Sequence, residues 1–315
     1  MAWGRFFLRR LLLTGITLLV VSLAIFTITE IIPADIAQVI LGQEATPEAI
    51  SALRQQMGLD RPAHVRYLQW IWNALHGDLG QSLYYGQDIG PLLMSRLKNS
   101  LFLASFAFLI GVPLAVLLGV ISGLKSGKAL DHLITVGSLT ALSLPEFVTG
   151  LVLIFVFGVW LRWLPASSVI DPDANLLKSI RHLILPVITL SLAMMAHISR
   201  MTRGGLIEVM DSEYVRTARL KGLPYWTVVT KHALRNSLLP TITVIAMYLG
   251  WLIGGLVLVE SVFAYPGIGR LLLLSIENRD VPLLQSTVLL IAAIRIAANF
   301  AADVSYAYLN PKIRY

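Results

Sequence analysis

The chain has 315 residues, of which 56% are hydrophobic and 14% charged, where a soluble domain carries about half and a quarter. Its apolar residues fall in blocks of bilayer length rather than at core-face spacing, so a soluble two-domain enzyme is excluded and a polytopic, all-α membrane protein is expected. The net charge of +7 does not make a nucleic-acid partner, because the basic residues sit at block ends and form no stripe or motif. The absence of cysteine excludes disulfides, thiolate metal ligands and a cysteine nucleophile within the chain.

The first block, Leu11 to Thr29, is uncharged and follows Arg5, Arg9 and Arg10. No small-x-small cleavage site follows it, so a retained anchor is expected. The segment from Pro33 to Lys98 is too polar to span. Within it Thr46-Pro47-Glu48 offers a cap, a proline at the first helical position and an acid in the first turn, and Gly58 closes the pattern, predicting a helix over 47–57. A second helix is predicted from Pro62 to His76, with Val65, Leu68, Trp72 and Leu75 on one face and the rings of Tyr67 and Trp70 suited to the head-group zone. This segment reads either as a structural cap or as a docking platform for something delivered from outside.

Five further blocks follow: Asn99 to Leu124, His132 to Leu161, Leu183 to Ser199, Asn236 to Val259 and Val281 to Tyr306. Six spans place both termini on one side. That side collects Arg5, Arg9, Arg10, Lys125, Lys128, seven basic residues between Arg200 and Arg235, Lys312 and Arg314. The short loops opposite hold only Arg162, Lys178, Arg181, Arg270 and Arg279. The excess predicts cytoplasmic termini. The chain thus divides into 1–32 (amino-terminal segment and first span), 33–96 (extracytoplasmic), 97–306 (a five-helix core) and the tail 307–315.

Charges inside spans cost a few kcal/mol and face a bundle interior or an aqueous path. Glu146 follows Pro145 in the middle of the third span, where a broken helix lines a cavity. Arg295, Asn299 and Asp303 recur every four residues and predict a polar stripe into the interior; an internal ion pair is the plain structural alternative. Glu260 and Asp303 lie near span ends, within reach of the interface.

The stretch 200–240 is longer than a connection requires. It reads as a helical segment before Gly222, a Gly-Leu-Pro turn, and a basic amphipathic segment from Tyr225 to Arg235; a basic helix lying on anionic lipid is the plain alternative. Gly123-Leu-Lys-Ser-Gly-Lys128 lacks the spacing of a phosphate-binding loop, so the chain is not expected to hydrolyse ATP. Neither HExxH nor GxSxG occurs, and the six histidines show no close metal-ligand pair, so neither catalysis nor a metal held by this chain is expected.

Tyr214-Val-Arg-Thr-Ala-Arg-Leu-Lys-Gly222 and Lys231-His-Ala-Leu-Arg-Asn-Ser-Leu-Leu-Pro240 resemble the cytoplasmic "EAA" loop of ATP-binding-cassette import permeases of the dipeptide/oligopeptide/nickel branch. Phe7-Leu-Arg-Arg10, Met57-Gly-Leu-Asp-Arg-Pro62, Gly77-Asp-Leu-Gly-Gln-Ser82, Trp163-Leu-Pro-Ala-Ser167, His182-Leu-Ile-Leu-Pro186, Val259-Glu-Ser-Val-Phe-Ala-Tyr-Pro-Gly-Ile-Gly269 and Leu309-Asn-Pro-Lys-Ile-Arg314 extend the resemblance over essentially the whole chain. It implies a type I importer permease of the bacterial inner membrane, with a second homologous permease, two cytoplasmic ATPase subunits that bind ATP and magnesium, and an extracytoplasmic solute-binding protein. It also implies that the loop's short coupling helix docks on an ATPase, with Arg216-Thr217-Ala218 at the motif position, Gly222 as the turn glycine, and Tyr214, Lys221, Leu223, Pro224 and Tyr225 beside them.

Three departures stand out. Arg235 occupies the position where the general pattern has proline, Pro33-Ala34-Asp35 stands for Pro-Gly-Asp, and Arg295 is a charge where relatives are apolar. Glu146, Glu260, Arg295, Asn299 and Asp303 are the candidates for the translocation pathway. Short peptides are the expected cargo, with nickel chelates, glutathione or another small solute as alternatives. A self-contained secondary transporter would need a three-plus-three repeat that is not evident, and a structural membrane scaffold would leave the polar positions within spans unexplained.

Overall fold

The computed structural model describes residues 2–31, 46–56, 60–169 and 176–309. The expected roles of Gly58, Pro33-Ala34-Asp35 and the residues after Leu309 fall outside this set, as does the side chain of Asp303. The elements are α1 (Ala2–Ile31), α2 (Pro47–Gln56), α3 (Ala63–Leu75), α4 (Ile89–Leu124), α5 (Ala129–Ser143), α6 (Glu146–Leu153) continued by a π-helical turn (Ile154–Trp160), and α7 (Leu176–Met210). Then come α8 (Glu213–Leu220), α9 (Tyr225–Thr227) with a π-helical turn (Val228–Leu234), α10 (Arg235–Val262), α11 (Ile268–Glu277) and α12 (Val281–Leu309).

Among the described residues four helices are long and apolar enough to cross a membrane, and six spans result if each of two bent helix pairs counts as one. The expected third span is such a pair: α5 and α6 meet at 109°. Pro145 lacks the N–H that would continue α5, and it also disfavours helical geometry at Leu144, whose ψ is 130°. The helices overrun the uncharged blocks, so α4 and α7 reach 36 and 35 residues.

The described chain divides into two units. In one, Ile89, Leu92 and Leu93 of α4 pack with Ile268 and Leu271 of α11 and Leu283 of α12. Asp280 is fully buried there. It accepts a hydrogen bond from the Ser82 hydroxyl at 2.5 Å and others from the amides of Tyr84 and Leu283 at 3.1 and 3.2 Å, which satisfies the first turn of α12 and ties a loop to it.

α3 belongs to the same unit, and its rings pack within it. Tyr67 and Trp70 turn inward onto Phe26 of α1, with centroids 5.3 and 6.2 Å away, and the Tyr67 hydroxyl bonds Ser22 at 2.9 Å. Burying both rings on α1 gains more apolar contact than leaving them at a surface. Val65, Leu68, Trp72 and Leu75 form the exposed face.

In the other unit α7 packs between α4, α5 and α10. A Cβ at Gly111 or Gly119 of α4 would collide with Met194 or Thr202 of α7, so glycine at this spacing lets the two backbones approach, as small residues do between membrane helices. Leu103 and Ala107 of α4, Leu190, Met194 and Ile198 of α7 and Leu252, Leu256 and Phe263 lie in the core that results.

Candidate functional site

Two polar constellations lie in this second unit. The first is the turn of chain between α7 and α10. α7 runs unbroken through the expected loop start to Met210, and only α8 stands apart as a short helix. Val215 and Ala218, three residues apart on α8, are buried with Leu206, Val228 and Ala233 in a small cluster of their own. This anchors one side of α8 and leaves Arg216, Thr217, Arg219 and Leu220 exposed. Ala218, a member of the motif triplet, therefore serves the anchor.

α8 ends in a defined cap. The Gly222 amide donates to the Arg219 carbonyl at 3.0 Å and the Leu223 amide to the Ala218 carbonyl at 3.4 Å, the paired bonds of a Schellman motif. Gly222 sits at φ +76°, a region that other L-residues enter at a cost of about 1–2 kcal/mol. Pro224 at φ −56° then caps α9. On the two sides of the turn, Leu220, Leu223, Tyr225 and Trp226 are 81%, 38%, 50% and 66% exposed, and Tyr225 and Trp226 stack edge to face at 5.5 Å. Exposed apolar side chains near Arg216, Arg219 and Lys221 are thus presented at the end of an anchored helix and in the turn after it, as an interaction surface would be. Tyr214 joins the frame by accepting a 3.1 Å bond from the Asn236 amide.

Behind α8 lies an ion pair that sequence reading did not single out. Asp131 of α5, 1% exposed, accepts two bonds from Arg203 of α7, at 2.6 Å from Nε and 2.8 Å from Nη2. It also accepts bonds from the Ser122 hydroxyl of α4 and, at 2.9 Å, from the Gly127 amide. The basic turn 124–128 is therefore folded onto a carboxylate, which explains Gly127 at φ +74°.

The second constellation gathers around the break between α5 and α6. The Glu146 carboxylate fills the space that a side chain at Gly255 of α10 would need: a Cβ there would lie 2.7 Å from Oε2 and 3.3 Å from Oε1. Oε1 is shielded and has no hydrogen-bond partner among the described residues, which makes it an acceptor awaiting a donor. On α10 the Tyr248 hydroxyl shares a 2.5 Å hydrogen bond with Nδ1 of His197 on α7, and Trp251 packs on Tyr248 at 5.1 Å. His197 is exposed although it lies in a membrane-spanning helix. His197 and Tyr248 are additions to the expected set; the signal was a histidine inside an apolar block.

The remaining candidates are placed as follows. Glu260 does not reach an interface: it is fully buried next to Tyr265, whose amide bonds its backbone carbonyl at 2.9 Å. Nor does the stripe on α12 run into an interior. Arg295 is exposed and so is Asn299, whose side-chain oxygen rests against Gly250 of α10. Helix α12 buries Leu283, Gln285, Ser286 and Thr287 near its start, and Arg295 and Asn299 lie beyond that buried stretch. Among the described residues no cluster of His, Asp or Glu of metal-binding size occurs.

Comparison with known proteins places the whole chain. Residues 115–315 match the family described as binding-protein-dependent transport system inner membrane component, and residues 3–93 match that of its N-terminal part. A peptide ABC transporter permease protein of Sinorhizobium fredii is 36% identical over 312 residues, 99% of this chain and 100% of the relative. A peptide transport system permease protein of Brucella abortus is 36% identical over 95% of each chain, and the glutathione transport system permease protein of Salmonella paratyphi A is 37% identical over 98% of each.

Proposed function

We propose that this chain, which belongs to the family of binding-protein-dependent transport system inner membrane components, forms one half of the translocation pathway for short peptides in an ATP-driven importer. It is a multi-pass ABC transporter permease of the bacterial inner membrane with the type I importer fold. A second, homologous permease supplies the other half. Two ATPase subunits bind ATP and magnesium and carry out hydrolysis, an extracytoplasmic binding protein delivers the cargo, and both termini and the loop 200–240 face the cytoplasm.

The observation that carries this reading is the form of α8. A helix held on one side by Val215 and Ala218 and ended by Gly222, with Leu220 exposed on it and Leu223, Tyr225 and Trp226 exposed just past its turn, is built to seat in a groove of another protein and to move with it. ATP binding by the partners then supplies the differential affinity that shifts the pathway between inward-open and outward-open states. Because α8 follows α7 after two residues and leads through α9 into α10, displacement of the docked helix is transmitted to the two helices that carry His197 and Tyr248. Glu146, His197, Tyr248 and Asn299 offer polar groups for the pathway.

Peptides are chosen as cargo because near-full-length relatives carry that name. The glutathione permease at 37% identity favours a second reading, in which the cargo is that one tripeptide. Vesicles containing the complete transporter, with ATP on the ATPase side and loaded binding protein on the other, separate the two. Accumulation of labelled dipeptides and tripeptides of varied sequence supports the first reading; accumulation of glutathione alone replaces it with the second, and movement of neither overturns both.

A further inference from the structure

We propose that the open cavity bordered by α1, α3 and the start of α12 is a binding site for the head group of a phospholipid bearing a primary ammonium group. The cavity measures about 370 Å³, far beyond the roughly 10–15 Å³ that one water needs. It is walled by the last turn of α1 (Phe26, Thr29, Glu30), by Arg66, Gln69, Trp70 and Asn73 of α3, and by Gln285 of α12. All of these belong to one compact unit.

Depth comes first. Thr29 and Glu30 close one apolar span and Gln285 lies in the opening turns of another, so the cavity sits where hydrocarbon gives way to head groups. Helix α3 confirms that level from its other side. It presents Val65, Leu68, Trp72 and Leu75 outward at 38–77% exposure, the pattern of a helix lying in the membrane surface.

The chemistry of the wall then selects the ligand. Arg66 gives Nε to the Arg61 carbonyl and Nη2 to Glu30, which leaves Nη1 for a phosphate. The Asn73 amide has no hydrogen bond to any described residue. Gln285 donates to Thr29 at 2.7 Å and keeps its carbonyl oxygen for a donor. Glu30 and Asp78 add carboxylates that an ammonium with three N–H groups can engage and a trimethylammonium cannot. Trp70, stacked on Phe26, supplies the apolar floor over which acyl chains leave along the exposed Leu19 and Leu23 of α1.

The test is native mass spectrometry of the complete transporter, reconstituted in vesicles of phosphatidylethanolamine or of phosphatidylcholine and then extracted. The wild type is expected to retain one ethanolamine lipid per copy of this chain and to release choline lipid. Arg66→Gln should lower the retained fraction at least fivefold, and so should Asn73→Trp, which fills the cavity without removing a hydrogen bond. Equal retention of the two lipids, loss of all lipid from the wild type, unchanged retention in both variants, or a peptide recovered in place of the lipid would each overturn the assignment.

Discussion

Asp131 and Arg203 lie 72 residues apart in sequence and meet in a two-pronged ion pair, 2.6 and 2.8 Å long. The pair joins α5 to α7 less than one turn before Leu206 and its anchored cluster, and through Ser122 and Gly127 it also fixes the end of α4 and the turn that follows. The end of α7 that leads into α8 is thereby tied to α4 and α5 through one carboxylate.

Replacing Asp131 with alanine takes the acceptor away from Arg203, Ser122 and Gly127 at a buried site and leaves the Arg203 guanidinium without its counter-charge. Losing one member of a buried pair costs about 3–5 kcal/mol; Arg203 keeps a side-chain exposure of 32%, so about 2–3 kcal/mol is expected. Thermal unfolding of the purified transporter measures it. The double variant with Arg203→Met should recover part of the loss, and a fully additive double variant would show that the two side chains do not act as a pair.

Gly222→Asp should abolish transport while leaving folding and insertion largely intact. A side chain there meets nothing within 4 Å, so its cost to stability is only the strain of positive φ, about 1–2 kcal/mol, whereas a charged group now projects from the docking turn. Transport at the wild-type rate by the variant in reconstituted vesicles would contradict the role given to this turn.

Trp226→Ala and Leu220→Glu address the surface itself. Both residues are exposed in this chain, so neither change should lower the melting temperature of the isolated permease. If the patch seats in an ATPase groove, each removes an apolar anchor of about 2 kcal/mol, which weakens ATPase association roughly thirtyfold. Titration of the ATPase subunit onto permease-containing vesicles reads this directly; unchanged binding would mean that the docked surface lies elsewhere.

Gly255→Leu should displace the Glu146 carboxylate from its notch on α10, since even a Cβ there approaches Oε2 to 2.7 Å. Peptide uptake should fall at least tenfold, with ATPase association unchanged, because the site is remote in sequence and function from α8. Glu146→Gln keeps the volume and tests the charge alone. Wild-type uptake by both variants would remove Glu146 from the pathway.

Much of the architecture was legible because each span is a long, largely uncharged block, and bilayer length needs no knowledge of neighbours. Local signals did equally well: Thr46 caps α2, its hydroxyl accepting the Ala49 amide at 3.3 Å, and Pro145 divides the third span. Pairings between distant residues were not legible. Nothing in one sequence tells that Asp131 faces Arg203 or that Tyr248 faces His197, because periodicity gives a face but not the partner opposite it. Glu260 shows the converse, since its place near a span end suggested an interface and tertiary packing buried it. Around α8 the turn was readable from Gly222 and Pro224, but the outward face was not: Val215, Ala218 and Leu220 are all apolar, and only the fold decides that Leu220 is the one left exposed.

The account turns on α8 as the link between this permease and an ATP-hydrolysing partner. The most direct test is affinity purification of the chain from its native membrane, with mass spectrometry of what accompanies it and an ATPase assay on the preparation. A sister permease and two ATPase chains, with hydrolysis stimulated by loaded binding protein and abolished coupling in Gly222→Asp, is the predicted result. A chain recovered alone, without ATPase activity, would contradict it.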